Sequence, residues 1–290
     1  PQLSARDFEV YEDGVPQEVA FFSNEEVAFN VLLLMDVSPS VANSIENIQD
    51  AGLEFIRQAR PQDRFMVVSF DQRLHVLTDF TNNRGTLESA VRSIRTGGGT
   101  SVYDAVYSCV TDRFRNVEGR KALILFSDGD DTTSRRAGYR EAVDAVTESD
   151  VLAYSIRYPG SDFGGYGGGN PTINLPLPIP IPIPWPRRRW PSPSGQPRRG
   201  GGGNGGDFMS DVANAGGGAV YDAETIQDLS RLARQIAEEL RHVYVVSYYP
   251  TNALANGGYR SIRVRIKSRS DLAVRHRRGY NAQDVRPTSH

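Results

Sequence analysis

Five short apolar runs set the fold class of this chain. They are residues 29–35 (FNVLLLM), 64–70 (RFMVVSF), 121–126 (KALILF), 151–156 (VLAYSI) and the short 218–221 (GAVY). A strand with one face in water alternates apolar and polar residues. A strand covered on both faces reads as a nearly continuous apolar run, as these do. Helical patterns fall between them. Over 41–59 the apolar positions are Ile45, Ile48, Gly52, Phe55, Ile56 and Ala59; over 101–114 they are Val102, Ala105, Val106, Cys109 and Val110; over 226–240 they are Ile226, Leu229, Ala233, Ile236, Ala237 and Leu240. Spacings of three and four put each set on one helix face. Ser101 with Asp104, and Thr225 with Asp228, read as capping boxes with Asp in place of Glu. Weaker helices are expected over 136–148 and 86–94. Strands alternating with helices predict an α/β fold, a doubly wound and mostly parallel sheet flanked by helices. A short strand at 74–77 follows Phe70 after only three residues, so it is expected as a hairpin and an antiparallel edge.

The ends of the chain read differently. Segments 7–11 (DFEVY) and 19–22 (VAFF) flank the turn residues Asp13 and Gly14, a hairpin signal. Segments 243–249, 259–267 and 272–277 read as three further strands, and 262–267 (IRVRIK) alternates strictly. Both termini are therefore expected to pair in one small antiparallel β subdomain. Between Pro159 and Asp207 the composition turns to proline and glycine, with proline at alternate positions from Pro176 to Pro186. Such a segment cannot supply a helix or a central strand. The expected organisation is a hairpin in 1–26, a main domain in 27–242 interrupted by an insertion at 159–206, terminal strands in 243–280 and a tail in 281–290.

Charge and cysteine usage narrow the class. The formal net charge of −2 over 290 residues gives no global attraction to nucleic acid or an anionic membrane, and none is expected as a partner. The single cysteine, Cys109, excludes an intrachain disulfide and lies on an apolar helix face. No apolar run is long enough for a transmembrane helix. Pro1 opens the chain with neither an initiator Met nor an apolar leader, as in a processed or trimmed chain. The basic positions Arg263, Arg265, Lys267, Arg269, Arg275, Arg277 and Arg278 read as the wet side of a sheet. Arg187–Trp190 with Trp185 reads as a solubilising or partner-docking stretch. His75, His242, His276 and His290 show no metal-ligand spacing, and the GGGT segment lacks the lysine of a phosphate-binding loop.

The chemistry lies in three segments. DVSPS at the end of the first run holds Asp36, Ser38 and Ser40; GGGTS just before a helix holds Thr100; SDGDD after the third run holds Asp128. All three fall at the carboxyl ends of proposed parallel strands or in the loops above them, where ligands bind in an open α/β sheet. Carboxylates and hydroxyls are the oxygen donors that a hard divalent cation prefers. Asp130 and Asp131 read as solvated loop residues. Asp104 either caps its helix or receives hydrogen bonds from the Thr100 loop, with the cap favoured.

Here the sequence resembles the von Willebrand factor type A family. The match is the DxSxS motif (Asp36, Ser38, Ser40), the threonine of the GGT loop (Thr100) and the aspartate of SDG (Asp128), over roughly residues 27–241. The flanks, DFEVYEDGVPQEVAFF and YRSIRVRIKSRSDLAVRHRRGY, resemble a bacterial, Acidobacteria-type subgroup. The resemblance implies a metal-ion-dependent adhesion site. Ser38, Ser40 and Thr100 would ligate Mg²⁺ (or Mn²⁺ or Ca²⁺), Asp36 and Asp128 would hold the site directly or through water, and a partner's Asp or Glu would complete the shell. The expected function is a secreted, periplasmic or envelope binding module without enzymatic activity. The alternatives are a scaffold subunit of an envelope assembly and a metal-dependent hydrolase. The hydrolase lacks a His, Lys or Cys base near the motif.

Overall fold

The computed structural model describes residues 3–23, 27–158, 205–252, 258–267 and 274–282. All but the last two residues of the expected insertion, with Arg187–Trp190, Arg269 and His290, lie outside them. The expected main sheet is present. It comprises β4 (Phe29–Asp36), β5 (Arg64–Phe70), β6 (Leu74–Val76), β7 (Arg120–Ser127), β8 (Val151–Arg157) and β9 (Val220–Asp222). Their spatial order is β6-β5-β4-β7-β8-β9, parallel throughout except for β6, which pairs antiparallel to β5 as a hairpin edge.

Every residue of β4 is buried, which explains its unbroken apolar run. Val31, Leu33 and Met35 face one core with α1 (Ile45–Arg57), α2 (Arg84–Ser93) and α6 (Leu229–Leu240). Leu32 and Leu34 face a second core with α3 (Val102–Ser108), α4 (Tyr139–Glu148) and α5 (Gly205–Gly216). Burying one such side chain contributes roughly 1.5–3 kcal/mol, so the layers hold the strand ends in fixed positions. The helix expected from residue 41 opens instead as a 3-10 turn, Pro39–Ser44, with Pro39 at its first position where no N–H is needed. The helix expected over 101–114 ends as a π-helical turn, in which Phe114 N–H donates to the Cys109 carbonyl. Among the described residues no helix is long and apolar enough to cross a membrane.

The terminal strands are β1 (Phe8–Glu12), β2 (Val15–Gln17), β3 (Val19–Ser23), β10 (Val245–Tyr248), β11 (Tyr259–Ile266) and β12 (Gly279–Asn281). They form an antiparallel sheet from both ends of the chain, in the order β12-β11-β1-β2, with β3 and β10 as a separate two-stranded ribbon beside it. The rings of Phe8, Phe22 and Tyr244 join the two, with centroids 5.5–5.9 Å apart. So does Glu12, which accepts from Arg260 at 3.0 Å and from the Tyr248 and Tyr280 hydroxyls at 2.7 and 2.8 Å. The strand expected at 272–277 is absent where it is described, and β12 begins at Gly279. Residues 275–277 are held by side chains instead of a ladder. Arg275 bonds Glu239 at 2.6 Å, Arg277 bonds the Thr147 carbonyl, and His276 Nε2 accepts from Val264 N–H at 3.3 Å.

Candidate metal site

Chain order runs from β4 outward to β5 and β6, then returns to the other side of β4 for β7 and β8. The strand order therefore reverses between β4 and β7, and at such a point the two following loops part and leave a crevice. Asp36 ends β4 and Asp128 follows directly on β7, so the two aspartates flank that crevice.

The loop after β4 folds back on its own carboxylate. Ser38 N–H donates to Asp36 Oδ1 at 2.9 Å, and Val37 N–H is tied to the Phe70 carbonyl of β5. This turn brings the Ser38 and Ser40 hydroxyl oxygens within 2.9 Å of each other, and Ser40 Oγ donates to Asp128 Oδ2 at 2.7 Å. Four of the five expected residues thus converge through direct contacts. The Thr100 hydroxyl makes no hydrogen bond to the other four. Its backbone is instead stitched to the loop beyond Asp128: Thr100 N–H donates to Thr132 Oγ1, and the Thr132 and Thr133 N–H groups donate to the Thr100 carbonyl at 2.8 and 2.9 Å.

Asp36 is fully buried, and among the described residues its carboxylate accepts hydrogen bonds from Ser38 N–H and Ser127 Oγ and pairs with no Lys, Arg or His. Burial pushes its carboxyl up to about 7, against hydrogen bonds from Ser127 and Ser38 that lower it and the Asp128 charge that raises it. A carboxylate desolvated beside a second one is expensive unless a cation compensates it. The donors present are two carboxylates and hydroxyls, all hard oxygens, with no sulfur or imidazole among them. By this chemistry the residues fit a small divalent cation. Among the described residues no three His, Cys, Asp or Glu side chains cluster as a metal site, so any cation here depends on the serine and threonine oxygens.

Several residues that sequence reasoning did not name support the site. Ser127 Oγ donates to Asp36 Oδ2 at 2.7 Å and accepts from Gly129 N–H at 2.9 Å. The buried Tyr158 hydroxyl lies 3.5 Å from the Asp36 carbonyl and 3.4 Å from that of Phe126, joining β8 to β4 and β7. Ser127 precedes the SDG aspartate, so its place in the motif was a readable signal; Tyr158 carried none. Asp104 neither caps its own helix nor bonds the Thr100 loop. Its carboxylate accepts from the N–H groups of Arg135, Arg136 and Ala137 at 2.8–2.9 Å. The start of α3 is capped from the neighbouring loop, with Tyr103 N–H donating to Asp131 and Asp104 N–H to Ser134 Oγ. Asp130 is exposed, as expected, whereas Asp131 is taken up by this cap.

A family model described as the von Willebrand factor type A domain matches residues 31–130. Among curated proteins none matches this chain. Several solved structures share the fold at low identity. A von Willebrand factor type A protein from Catenulispora acidiphila superposes with a TM-score of 0.53 at 13% identity, covering 81% of this chain and 46% of that one. The vWF domain of the type V pili tip protein Mfa5 from Porphyromonas gingivalis gives 0.51 at 12% identity, covering 74% and 96%. Proximal thread matrix protein 1 from the mussel byssus, with a zinc-occupied MIDAS motif, gives 0.54 at 12% identity, covering 79% and 49%. This chain therefore spans about half the length of the Catenulispora and byssus proteins.

Proposed function

We propose that this chain, which carries a von Willebrand factor type A domain, is a binding module that holds one divalent cation at the β4–β7 crevice and offers it to a carboxylate on a partner protein. The observation that supports this most is the convergence of Asp36, Ser38, Ser40 and Asp128 through direct contacts, with a buried carboxylate that has no basic partner among the described residues. Ser38, Ser40 and Asp128 would hold the cation, Thr100 would approach from its glycine loop, and Asp36 would balance the charge from below. The bound cation supplies an electrophilic position at which an incoming Asp or Glu oxygen completes the shell. Oxygen donors favour Mg²⁺ or Mn²⁺; the byssus protein shows that zinc occupies such a motif in a protein of the same fold. The fold is shared with a pilus tip domain and a byssus matrix protein, and this supports a place outside the cytoplasm. General base chemistry has no support, because no His, Lys or Cys contacts these oxygens among the described residues.

The test is calorimetry with millimolar Mg²⁺ and Mn²⁺, paired with melting curves in chelator and in metal. The wild type should bind and gain stability by mass action, about 2.7 kcal/mol when the free metal is 100-fold above Kd. Asp36→Ala should remain folded and lose both responses. A flat wild-type titration, or an Asp36→Ala protein that still binds, sinks this reading.

A further inference from the structure

The Thr100 hydroxyl is not bonded to the other four site residues, so the position of its loop must be set from elsewhere. The glycines before it rest on Asp71, the residue that follows β5. Gly98 N–H donates to Asp71 Oδ2 at 3.3 Å. Ser101 N–H donates to the Asp71 carbonyl at 2.8 Å, and Gln72 N–H to the Gly98 carbonyl at 2.9 Å. At Gly97 the approach is so close that a Cβ would stand 1.8 Å from Asp71 Oδ2. The other carboxylate oxygen is held from the far side. Asp71 Oδ1 accepts from Arg73 N–H at 2.7 Å and pairs with Nε2 of His75, on β6, at 3.1 Å. Asp71 is itself 8% exposed. Burial alone would raise its carboxyl, but the hydrogen bonds from Arg73, His75 and Gly98 outweigh that and keep it below the ordinary carboxylate value. One ionised side chain therefore joins the β5–β6 hairpin to the glycine loop, while Gly97 N–H ties the same loop to the Val37 carbonyl beside the DxSxS turn at 2.8 Å.

We propose that Asp71 is a positioning residue for the cation site: its carboxylate, braced by Arg73 N–H and His75, seats the 97–99 loop so that Thr100 faces the oxygens of Ser38, Ser40 and Asp128. This rests on the cation reading above. Residues that orient metal ligands without touching the metal typically shift its affinity about 10- to 100-fold when removed. A purely structural residue would lower the melting temperature and leave the affinity unchanged.

The experiment uses the full chain and Mn²⁺ itself as the probe, with wild type, Asp71→Ala, Asp71→Asn and Gly97→Ala compared by calorimetry. Amide hydrogen exchange of Gly98 and Ser101 is followed in chelator. Asp71→Ala should weaken Mn²⁺ binding about 10- to 100-fold, and in the metal-free protein should speed exchange at Gly98 and Ser101 while α6 stays protected. Asp71→Asn keeps one acceptor oxygen and should recover part of the affinity. Gly97→Ala keeps the Asp71 side chain but drives its carboxylate off the loop, and should weaken binding like Asp71→Ala. If Asp71→Ala does not fold, the Asn and Gly97 variants decide. Variants that bind as tightly as a wild type that does bind overturn the clamp and leave the cation reading standing. A wild type with no binding overturns both.

Discussion

Ser127 Oγ donates to Asp36 Oδ2, and its own oxygen is occupied by Gly129 N–H. The buried carboxylate is thus oriented by a side chain that is oriented in turn, which fixes where a cation's charge would have to sit. A second buried carboxylate, Glu12, solves the same desolvation problem with protein partners alone. Its oxygens are taken by Arg260, Tyr248 and Tyr280 from three other strands, and both members of the ion pair are at most 4% exposed. Removing one member of a buried pair costs far more than the pair contributes, because the groups left behind lose their acceptor. Glu12→Ala should cost roughly 3 kcal/mol in urea unfolding, and should leave Mn²⁺ affinity at the crevice unchanged. An unchanged midpoint would show that the terminal strands do not depend on this pair.

At the scale of elements, α5 shows what the sequence withheld. Its buried face, Phe208, Met209, Val212 and Ala213, follows a helical spacing, but a proline and glycine tract precedes it with no capping signal, so no element is expected there from sequence. The helix is held mainly by packing on β8. Its exit depends on Gly217, at φ +79°, where a Cβ would stand 2.6 Å from the Arg277 nitrogen. Gly217→Ala should therefore destabilise the fold by about 1–3 kcal/mol, and Gly217→Asn, which tolerates the backbone angle but not the contact, should recover only part of the midpoint in a denaturant melt. The parallel strands, most helices and the closeness of Asp36, Ser38, Ser40 and Asp128 were legible because period and spacing are local. The cap on α3, the role of Asp104 and the seat of Gly97 on Asp71 were not. Each joins residues about thirty apart in sequence, and short polar side chains carry no mark of which loop they will meet. The strand expected at 272–277 failed for a similar reason: Arg275 and Arg277 are spent on α6 and α4 instead of on a ladder.

Across the whole molecule, the chain enters and leaves the main sheet at the edge away from the crevice. Phe29 begins β4 there, bonded by its N–H to Asp63, and Arg241 follows α6 there, bonded to the Gln58 carbonyl at the end of α1. The terminal strands close over that end, β1 on β11 and β3 on β10. Deleting residues 1–23 should strip β3 from β10 and β1 from β11 and leave open strand edges, which recruit other chains. Light scattering should then report assembly; a truncated chain that stays monomeric with unchanged melting would show that the pairing is dispensable. The same arrangement has a mechanical consequence. Tension applied through the two flanks of the chain meets β1 and β12 first, both of them zipped onto β11. Those ladders take the load ahead of β4. If the crevice holds a cation and a partner's carboxylate as proposed, it would keep that grip while the flanking sheet gives way like a fuse.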